Sequence, residues 1–463
     1  MFSIQQNRLY QWRRQMQRGF WKPLFLALVI VVLLIFTSGT VLAAGFAITQ
    51  KSVKGLGNAF AGAAAVAEDA STIYFNPAGM TRLSGGQVQA GVHVIKPTVK
   101  FDNKGSTTVL TQPLTGGDGG DAGKLGYVPN FFYAQSISDN LRVGIGVVSP
   151  FGLATDYNRE WVGRYYTFKS ELLTIDINPS VAYKINKMWS IGGGLSVQYL
   201  DAELNQAIDY GTINAALGFG LPLLPQGADG KTKIKGDGNW GYGFNLGVLF
   251  ELTETTRFGV AYRSEISHDL EGDADFTTPA AAAPIAGALG LVDTGAKADI
   301  DLPASFSVSG YHQLTDKWAV MADITWTDWS TFEELRIKFD SGAADSVTTY
   351  DLDDSFRYSV GVTYALNPRW IFRGGLAYDE TTVPNSRMRN PQLPDQDRLW
   401  FALGTSYQFS DRLGLDLSYT YITMVDDAEI DKTATGKDTF RGALKGDYDG
   451  WGNILSLQMS YRF

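Results

Sequence analysis

Cysteine is absent from the chain of 463 residues, and histidine occurs only three times, at His93, His268 and His312. The lack of cysteine excludes a disulfide framework, thiolate metal sites and a cysteine nucleophile. The three histidines are too scattered for their spacing to suggest a metal cluster or a Ser-His-Asp set. The sequence therefore predicts a protein without catalytic residues, metal or cofactor. A lipase or protease that assembles such residues from separate strands is the alternative.

Long apolar runs are also scarce, apart from the uncharged stretch Leu24–Phe36 near the N-terminus. This stretch has the length of a signal-peptide core and is too short for a spanning helix, and small residues follow it. We interpret residues 1–43 as a secretory signal with cleavage after Ala43 or Ala44; an uncleaved anchor is the alternative. Five basic residues precede the run: Arg8, Arg13, Arg14, Arg18 and Lys22.

Removal of those five positive charges takes the formal net charge from -9 to -14. A chain this acidic is not expected to bind nucleic acid. No linker or charge block divides the remaining residues, so we expect one large closed architecture.

Strict alternation of apolar with small or polar residues indicates β-strands. In the last strand Leu455, Leu457 and Met459 alternate with Ser456 and Gln458. The turns between such strands are alternately short and long, which is typical of an up-and-down outer-membrane barrel with tight periplasmic turns. We therefore predict an all-β transmembrane protein: an antiparallel β-barrel of about fourteen strands over residues 85–463, in the outer membrane of a Gram-negative bacterium with both termini periplasmic.

Residues 44–84 lack the alternation of apolar with small or polar residues, so they cannot form part of the barrel wall. They contain "GLGNAFAGAAAVAEDASTIYFNPAG", which begins at Gly55. A dinucleotide fingerprint would need a third glycine where Phe60 stands, so a nucleotide site is not indicated. A barrel of about fourteen strands has an interior that wall side chains alone do not fill. We therefore interpret residues 44–84 as a short helical hatch that plugs the barrel.

Three stretches carry a family resemblance: "GFAITQKSVKGLGNAFAGAAAVAEDASTIYFNPAGMTRL", "SPFGLATDYNREWVGRY" and "INPSVAYKINKMWSIGGGLSVQYLDAEL". They resemble the outer-membrane long-chain fatty acid transporter family of the FadL/TodX type over essentially the whole mature chain. The resemblance implies a fourteen-stranded barrel with an N-terminal hatch, no catalytic centre, and passive transport of long-chain fatty acids or aromatic hydrocarbons. The terminal Phe463 resembles the C-terminal signal read by the barrel assembly machinery, so that machinery and outer-membrane lipids are the other expected partners.

Two external connections are too apolar for solvated loops, and exposed apolar patches usually mark binding surfaces. We predict a capture surface there, which the resemblance favours; the alternative is that the loops only pack on each other. The predicted capture residues are Leu217, Phe219, Leu221, Leu223 and Leu224 in the first connection, and Ile285, Leu289 and Leu291 in the second.

Pro150, Phe151 and Gly152 interrupt an alternating strand, because proline cannot donate to the ladder and glycine permits a bulge. The resemblance implies a lateral opening of the wall at these residues. It also implies that Phe46 and Ile48 line an inner substrate site. Asn76, Pro77, Ala78 and Gly79 match the hatch motif of the family, and an Asn-Pro turn favours one fixed conformation.

The substrate is the least determined feature. Fatty-acid members hold the carboxylate with a basic residue where this chain has Gln206, although Lys231, Lys233 or Lys235 could substitute. We therefore predict a passive channel for hydrophobic molecules, with long-chain fatty acids first and aromatic hydrocarbons as the alternative. A general porin is the rival from a different class, but a porin would not spend about forty residues on a hatch.

Overall fold

A computed structural model describes residues 45–222, 224–225 and 227–463. The predicted signal peptide, residues 1–43, lies outside the described residues, as does Leu223. Within the described ranges, no helix is long and apolar enough to cross a membrane.

The wall is a closed antiparallel barrel of fourteen strands, as predicted from the alternation. The first strand, Gly86–Asn103, pairs with the second, Gly126–Ser136, on one side and with the last, Lys445–Arg462, on the other, which closes the barrel. Six of the strands are interrupted and are given as two segments. The strands are β1 Gly86–Asn103, β2 Gly126–Ser136, β3 Leu141–Val148 with Gly152–Asp156, β4 Lys169–Lys184, β5 Trp189–Asp209, β6 Asp229–Glu251, β7 Thr256–Arg263 with Ile266–Thr277, β8 Thr294–Leu302 with Ser305–Gln313, β9 Trp318–Thr327 with Glu334–Phe339, β10 Ser346–Thr349 with Ser355–Ala365, β11 Trp370–Asp379, β12 Arg398–Gln408, β13 Leu413–Met424 with Ala428–Asp431, and β14 Lys445–Arg462.

The two faces of the wall differ as the period of two requires. Large apolar side chains point outward and are exposed, for example Leu195 at 64% and Leu403 at 66%. Ser196, next to Leu195, and Ser406, three residues after Leu403, point inward and are buried. An apolar outer band around a polar interior is the arrangement that a barrel needs in a bilayer.

Residues 45–84 lie inside the barrel and are almost wholly buried. They contain α1 Val53–Gly57, α2 Ala63–Val66, α3 Thr72–Phe75 and the 3₁₀ turn Pro77–Arg82. The Ala-rich stretch is helical over four residues only, because Arg257 of β7 donates to the carbonyl oxygens of Ala65 at 2.7 Å and Val66 at 2.6 Å and so satisfies the end of α2.

Wall glycines allow this close packing. A Cβ atom on Gly259 of β7 would lie 1.9 Å from the carbonyl oxygen of Ala64, and one on Gly375 of β11 would lie 2.1 Å from the carbonyl carbon of Asn58. Both distances are far below van der Waals contact, so the backbone of the N-terminal segment touches the wall where a side chain would stand.

The external connections contain two further helices, α4 Tyr210–Leu217 and α5 Ala283–Ala288. Three short 3₁₀ turns, Ala280–Ala282, Trp329–Thr331 and Gly436–Asp438, complete the regular structure.

Candidate transport path

The predicted inner-site residues lie against the predicted lateral opening. The N–H of Ile48 donates to the carbonyl oxygen of Pro150 at 2.7 Å, and the N–H of Gly152 donates to the carbonyl oxygen of Phe46 at 2.9 Å. Ala47 and Phe151 form an antiparallel bridge between these two bonds. The start of the N-terminal segment is thus paired, like a short strand, with the interruption in β3.

The wall ladder is open at this level. β2 pairs with β3 from Phe131, opposite Val147, to Ser136, opposite Arg142. The second segment of β3 pairs with β4. Within the described part of the chain, no strand therefore pairs with residues 126–130 of β2 on the β3 side. Pairing resumes farther out, where the N–H of Asp156 donates to the carbonyl oxygen of Ala122 at 3.1 Å.

An apolar cavity of about 100 Å³ lies on the inner side of this opening. Phe46, which is 4% exposed, forms part of its lining. The lining also contains charged residues, but most of it comes from side chains that cannot hydrogen-bond; the charged residues are Glu171, Glu203, Lys235, Glu271 and Lys297. The apolar lining includes Leu153, Leu172, Leu204, Ile234, Leu270 and Ile300. Such a cavity suits a hydrophobic ligand.

A cluster of aromatic rings closes one side of the cavity. The ring centroid of Phe46 lies 4.7 Å from that of Trp329, 5.4 Å from that of Phe332 and 6.1 Å from that of Phe151. Edge-to-face pairs at these distances are stabilising beyond the area they bury. We call Phe46, Phe151, Trp329 and Phe332 the aromatic partition.

Sequence reasoning missed half of this partition. Trp329 and Phe332 come from residues 328–333, where β9 leaves the wall and turns inward between its two segments. Gly45 is adapted to the resulting contact: it has φ +60°, and a Cβ atom there would lie 2.5 Å from the Trp329 ring. A signal was present in the sequence, because the apolar positions change phase along β9, from Ile324 and Trp326 to Leu335, Ile337 and Phe339.

The Asn76 side chain ties the hatch motif to the wall. Its Oδ1 accepts from the N–H of Ala78 at 3.1 Å. Its Nδ2 donates to the carbonyl oxygens of Ala64 at 2.7 Å and Val248 of β6 at 2.9 Å. Asn76 itself is extended, with φ −162° and ψ 100°, and Pro77 begins the 3₁₀ turn that contains Ala78 and Gly79. That the motif holds the hatch in one conformation stays a prediction.

The two apolar external connections pack on each other but remain partly exposed. Ile285 and Leu224 are buried in a shared cluster with Tyr210. Leu221, Leu289 and Leu291 are partly buried around it. Leu217 is 50% exposed and Phe219 is 37% exposed. The loops thus cap one another while presenting apolar side chains outside, so the two interpretations of these loops are compatible.

The family model described as outer membrane protein transport protein (OMPP1/FadL/TodX) matches residues 34–463. The chain belongs to this family. It is 32% identical to the long-chain fatty acid transport protein of Escherichia coli strain K12, over 86% of this chain and 91% of that protein. It is 28% identical to outer membrane protein P1 of Haemophilus influenzae strain KW20, over 85% of this chain and 89% of that protein.

Solved structures share the fold. A crystal structure of a Pseudomonas aeruginosa FadL homologue superposes with a TM-score of 0.84 at 25% identity, over 91% of this chain and 100% of that one. The Ralstonia pickettii toluene transporter TbuX gives a TM-score of 0.60 at 20% identity, over 87% and 96% of the two chains. FadL/TodX family members carry hydrophobic compounds across the outer membrane and are not enzymes, so this chain is an outer-membrane transport protein.

The three histidines lie on three different strands. His93 on β1 contacts Ser456, His268 on β7 contacts Gln198, and His312 on β8 contacts Thr256. Within residues 45–222, 224–225 and 227–463, no group of His, Asp and Glu could hold a metal ion.

Gln206 stands at the expected carboxylate position, and its Oε1 is buried without a hydrogen-bond partner among the described residues. Lys231, Lys233 and Lys235 are exposed, whereas Thr232 and Ile234 between them are buried. Lys235 nevertheless lines the apolar cavity, so the replacement of the missing basic residue by one of these lysines stays a prediction.

The C-terminal residue ends the last wall strand. The N–H of Phe463 donates to the carbonyl oxygen of Gly86 at 2.9 Å, and its ring stacks with that of Tyr461 at 6.3 Å. The ring is 49% exposed. Recognition of Phe463 by the barrel assembly machinery stays a prediction.

Proposed function

We propose that this chain carries long-chain fatty acids across the outer membrane by diffusion. In this proposal the cargo is first captured at the exposed side chains of Leu217 and Phe219. It then rests in the apolar cavity beside Phe46 and leaves through the wall opening at Pro150, Phe151 and Gly152. Ile48 guides the final step, because it lies beside Gly152.

One observation carries this proposal. Phe46 lines the apolar cavity, and residues 46–48 pair with the interruption of β3. A single shift of this segment would therefore enlarge the cavity and uncover the opening at the same time. No phosphate-binding motif supplies energy, so movement follows the concentration gradient.

The size of the cavity supports a moving Phe46. A dry apolar cavity of about 150 Å³ is known to bind benzene in another protein, and the cavity here is about 100 Å³. A long acyl chain needs more room, although each buried methylene would contribute about 0.8 kcal/mol. Displacement of Phe46 from the aromatic partition is the simplest way to provide that room.

Aromatic hydrocarbons are a second candidate, because Gln206 replaces the basic residue of fatty-acid members and the resting cavity approaches the size of one ring. A photoreactive amino acid at position 46, used with a lipid-tailed probe, separates the candidates. We expect the probe to be labelled, and hexadecanoic acid to compete better than toluene. Stronger competition by toluene would favour the aromatic substrate. Labelling confined to the wall, together with normal uptake by Phe46→Ala, would contradict the inner site.

A general porin is distinguished by conductance. The hatch fills the lumen, so purified protein in a planar bilayer should pass almost no steady current in salt solution. Large steady currents would show an open lumen and would contradict the proposal.

A further inference from the structure

A second cavity, of about 120 Å³, lies on the other side of the aromatic partition. Trp329 and Phe151 border this second cavity, whereas Phe46 and Phe332 border the apolar one. Pro150 and Phe151, at the interruption of β3, also line it, so it lies directly behind the proposed exit. In contrast to the first cavity, its lining is rich in hydroxyl groups: Ser305, Ser307, Thr325, Thr327 and Ser355.

Three basic side chains meet at this second cavity. Lys51 comes from the N-terminal segment, Arg263 from β7 and Arg357 from β10. The Lys51 Nζ lies 4.4 Å and the Arg263 Cζ 3.9 Å from the ring centroid of Tyr74. The Lys51 and Arg263 side chains thus share the ring of Tyr74 as a cation–π partner, inside the barrel wall.

Only part of this positive charge is neutralised. Arg263 is paired with Asp176 at 2.9 Å. The Arg357 Nη2 lies 3.9 Å from the Oδ1 of Asp323, and the Arg357 Nη1 is buried without a hydrogen-bond partner among the described residues. Asp379 also lines the cavity, but it is paired with Arg398 at 3.5 Å.

Lys51 is the least neutralised of the three. It is 6% exposed and forms no ion pair within the ranges that the structure describes. Burial, together with the nearby Arg263 and Arg357, lowers the pKa of its ammonium group well below the usual value. A bound anion would relieve both penalties, because an opposite charge favours the charged form of a buried amine.

We propose that Lys51 and Arg357 form a binding site for the carboxylate head group of an amphiphilic cargo, immediately behind the wall opening. This site rests on the proposed function and specifies the cargo as an anion with an apolar tail. When Phe46 leaves the aromatic partition, the two cavities join, and one molecule places its tail in the apolar cavity and its head at Lys51. A neutral aromatic hydrocarbon would gain nothing from this site.

The test compares an acid with an alcohol of the same chain length. Binding of hexadecanoic acid and hexadecanol to the full chain in detergent is measured for the unmodified protein and for Lys51→Met. We expect the variant to bind the acid about tenfold more weakly or worse, as the loss of a buried charge-assisted contact implies. Binding of the alcohol should be unchanged, which also shows that the variant is folded. Lys187→Met, in an exposed periplasmic turn, is the matched control and should bind both ligands normally.

A second variant tests the same site in case Lys51→Met does not fold. Thr49→Glu would place a negative charge on the lining of the same cavity, and it should weaken binding of the acid and leave the alcohol unaffected. Equal binding of the acid by all variants would overturn the head-group site while leaving the proposed function intact. Acetate that binds the unmodified protein as tightly as hexadecanoic acid would overturn it in favour of a free-anion site. If neither long-chain ligand binds the unmodified protein, the proposed function fails together with the site.

Discussion

The N–H of Gly152 donates a hydrogen bond of 2.9 Å to the carbonyl oxygen of Phe46. This bond joins the N-terminal segment to the one place where β3 leaves its ladder with β2. Its reciprocal partner, from Ile48 to Pro150 at 2.7 Å, makes the contact a two-bond closure. On the proposed route, opening the wall for cargo would require both bonds to break, so the closure would couple the inner cavity to the exit.

A bulky residue at position 152 should block the exit. A Cβ atom on Gly152 would already lie 2.7 Å from the Cδ1 of Ile48, so the side chain of Gly152→Leu would occupy the space through which cargo leaves. We expect uptake of labelled fatty acid by cells to fall severalfold, while the heat-modifiable folded form remains. Gly310→Leu is the control, since a Cβ atom there has no neighbour closer than 3.7 Å. Normal uptake by Gly152→Leu would contradict a lateral route.

Loss of the Asn76 side chain should loosen the hatch more than the barrel. Asn76→Ala leaves the buried carbonyl oxygens of Ala64 and Val248 without their donor, and each such loss costs about 1–3 kcal/mol. The ladder of the wall is untouched, so heat-modifiable barrels should still form while transport falls. Asn76→Asp, which keeps the acceptor for Ala78 and loses the two donated bonds, should resemble the alanine variant. If assembly collapses in both variants, the motif is structural and does not gate.

Acid should also loosen the hatch, through Glu68. Burial alone would raise the pKa of this carboxyl, but Arg373 of β11, 2.9 Å away, and Lys54 hold the pKa below its usual value. A carboxylate with a lowered pKa stabilises the folded state above its ordinary pKa, and this contribution is lost as pH falls through the lowered value.

Planar-bilayer recordings can detect that loss. Brief openings should appear only below about pH 4, near the ordinary range of glutamate. Glu68→Gln should show them already at neutral pH, because it lacks the charge at every pH. Glu254→Gln, in an exposed periplasmic turn, is the control and should behave like the unmodified protein. The same acid threshold in Glu68→Gln would assign the openings to another group.

Local sequence patterns predicted the wall well, because each strand displays its own two faces. The alternation at Leu455, Leu457 and Met459 needs no knowledge of distant residues to be interpreted. The break at Pro150 was equally local, since proline and glycine interrupt a ladder wherever they stand.

Local sequence patterns could not predict contacts between residues that are distant in the sequence. Lys51, Arg263 and Arg357 meet only because the barrel closes around the hatch, and nothing near any one of them in the sequence indicates the other two. The inward turn of β9 is an intermediate case. Its phase change between Trp326 and Leu335 is visible in the sequence, but its partner Phe46 lies almost 300 residues away.

The most direct test of the account is a reversible lock between the N-terminal segment and β3. The described chain contains no cysteine, so the pair Ala47→Cys and Phe151→Cys would have no competing thiol. Residues opposite each other in an antiparallel bridge have Cα atoms about 4.5–5.5 Å apart, which a disulfide can span. Val308→Cys with Ile324→Cys, opposite each other on β8 and β9, would lock two wall strands that need not move. The single variants control for loss of the native side chains.

Fatty-acid uptake is then measured before oxidation, after oxidation and after reduction. The account predicts that the oxidised 47–151 pair abolishes uptake, that reduction restores it, and that the wall pair has no effect in either state. Undiminished uptake by the fully oxidised 47–151 pair would contradict the claim that this segment must leave β3 for cargo to pass.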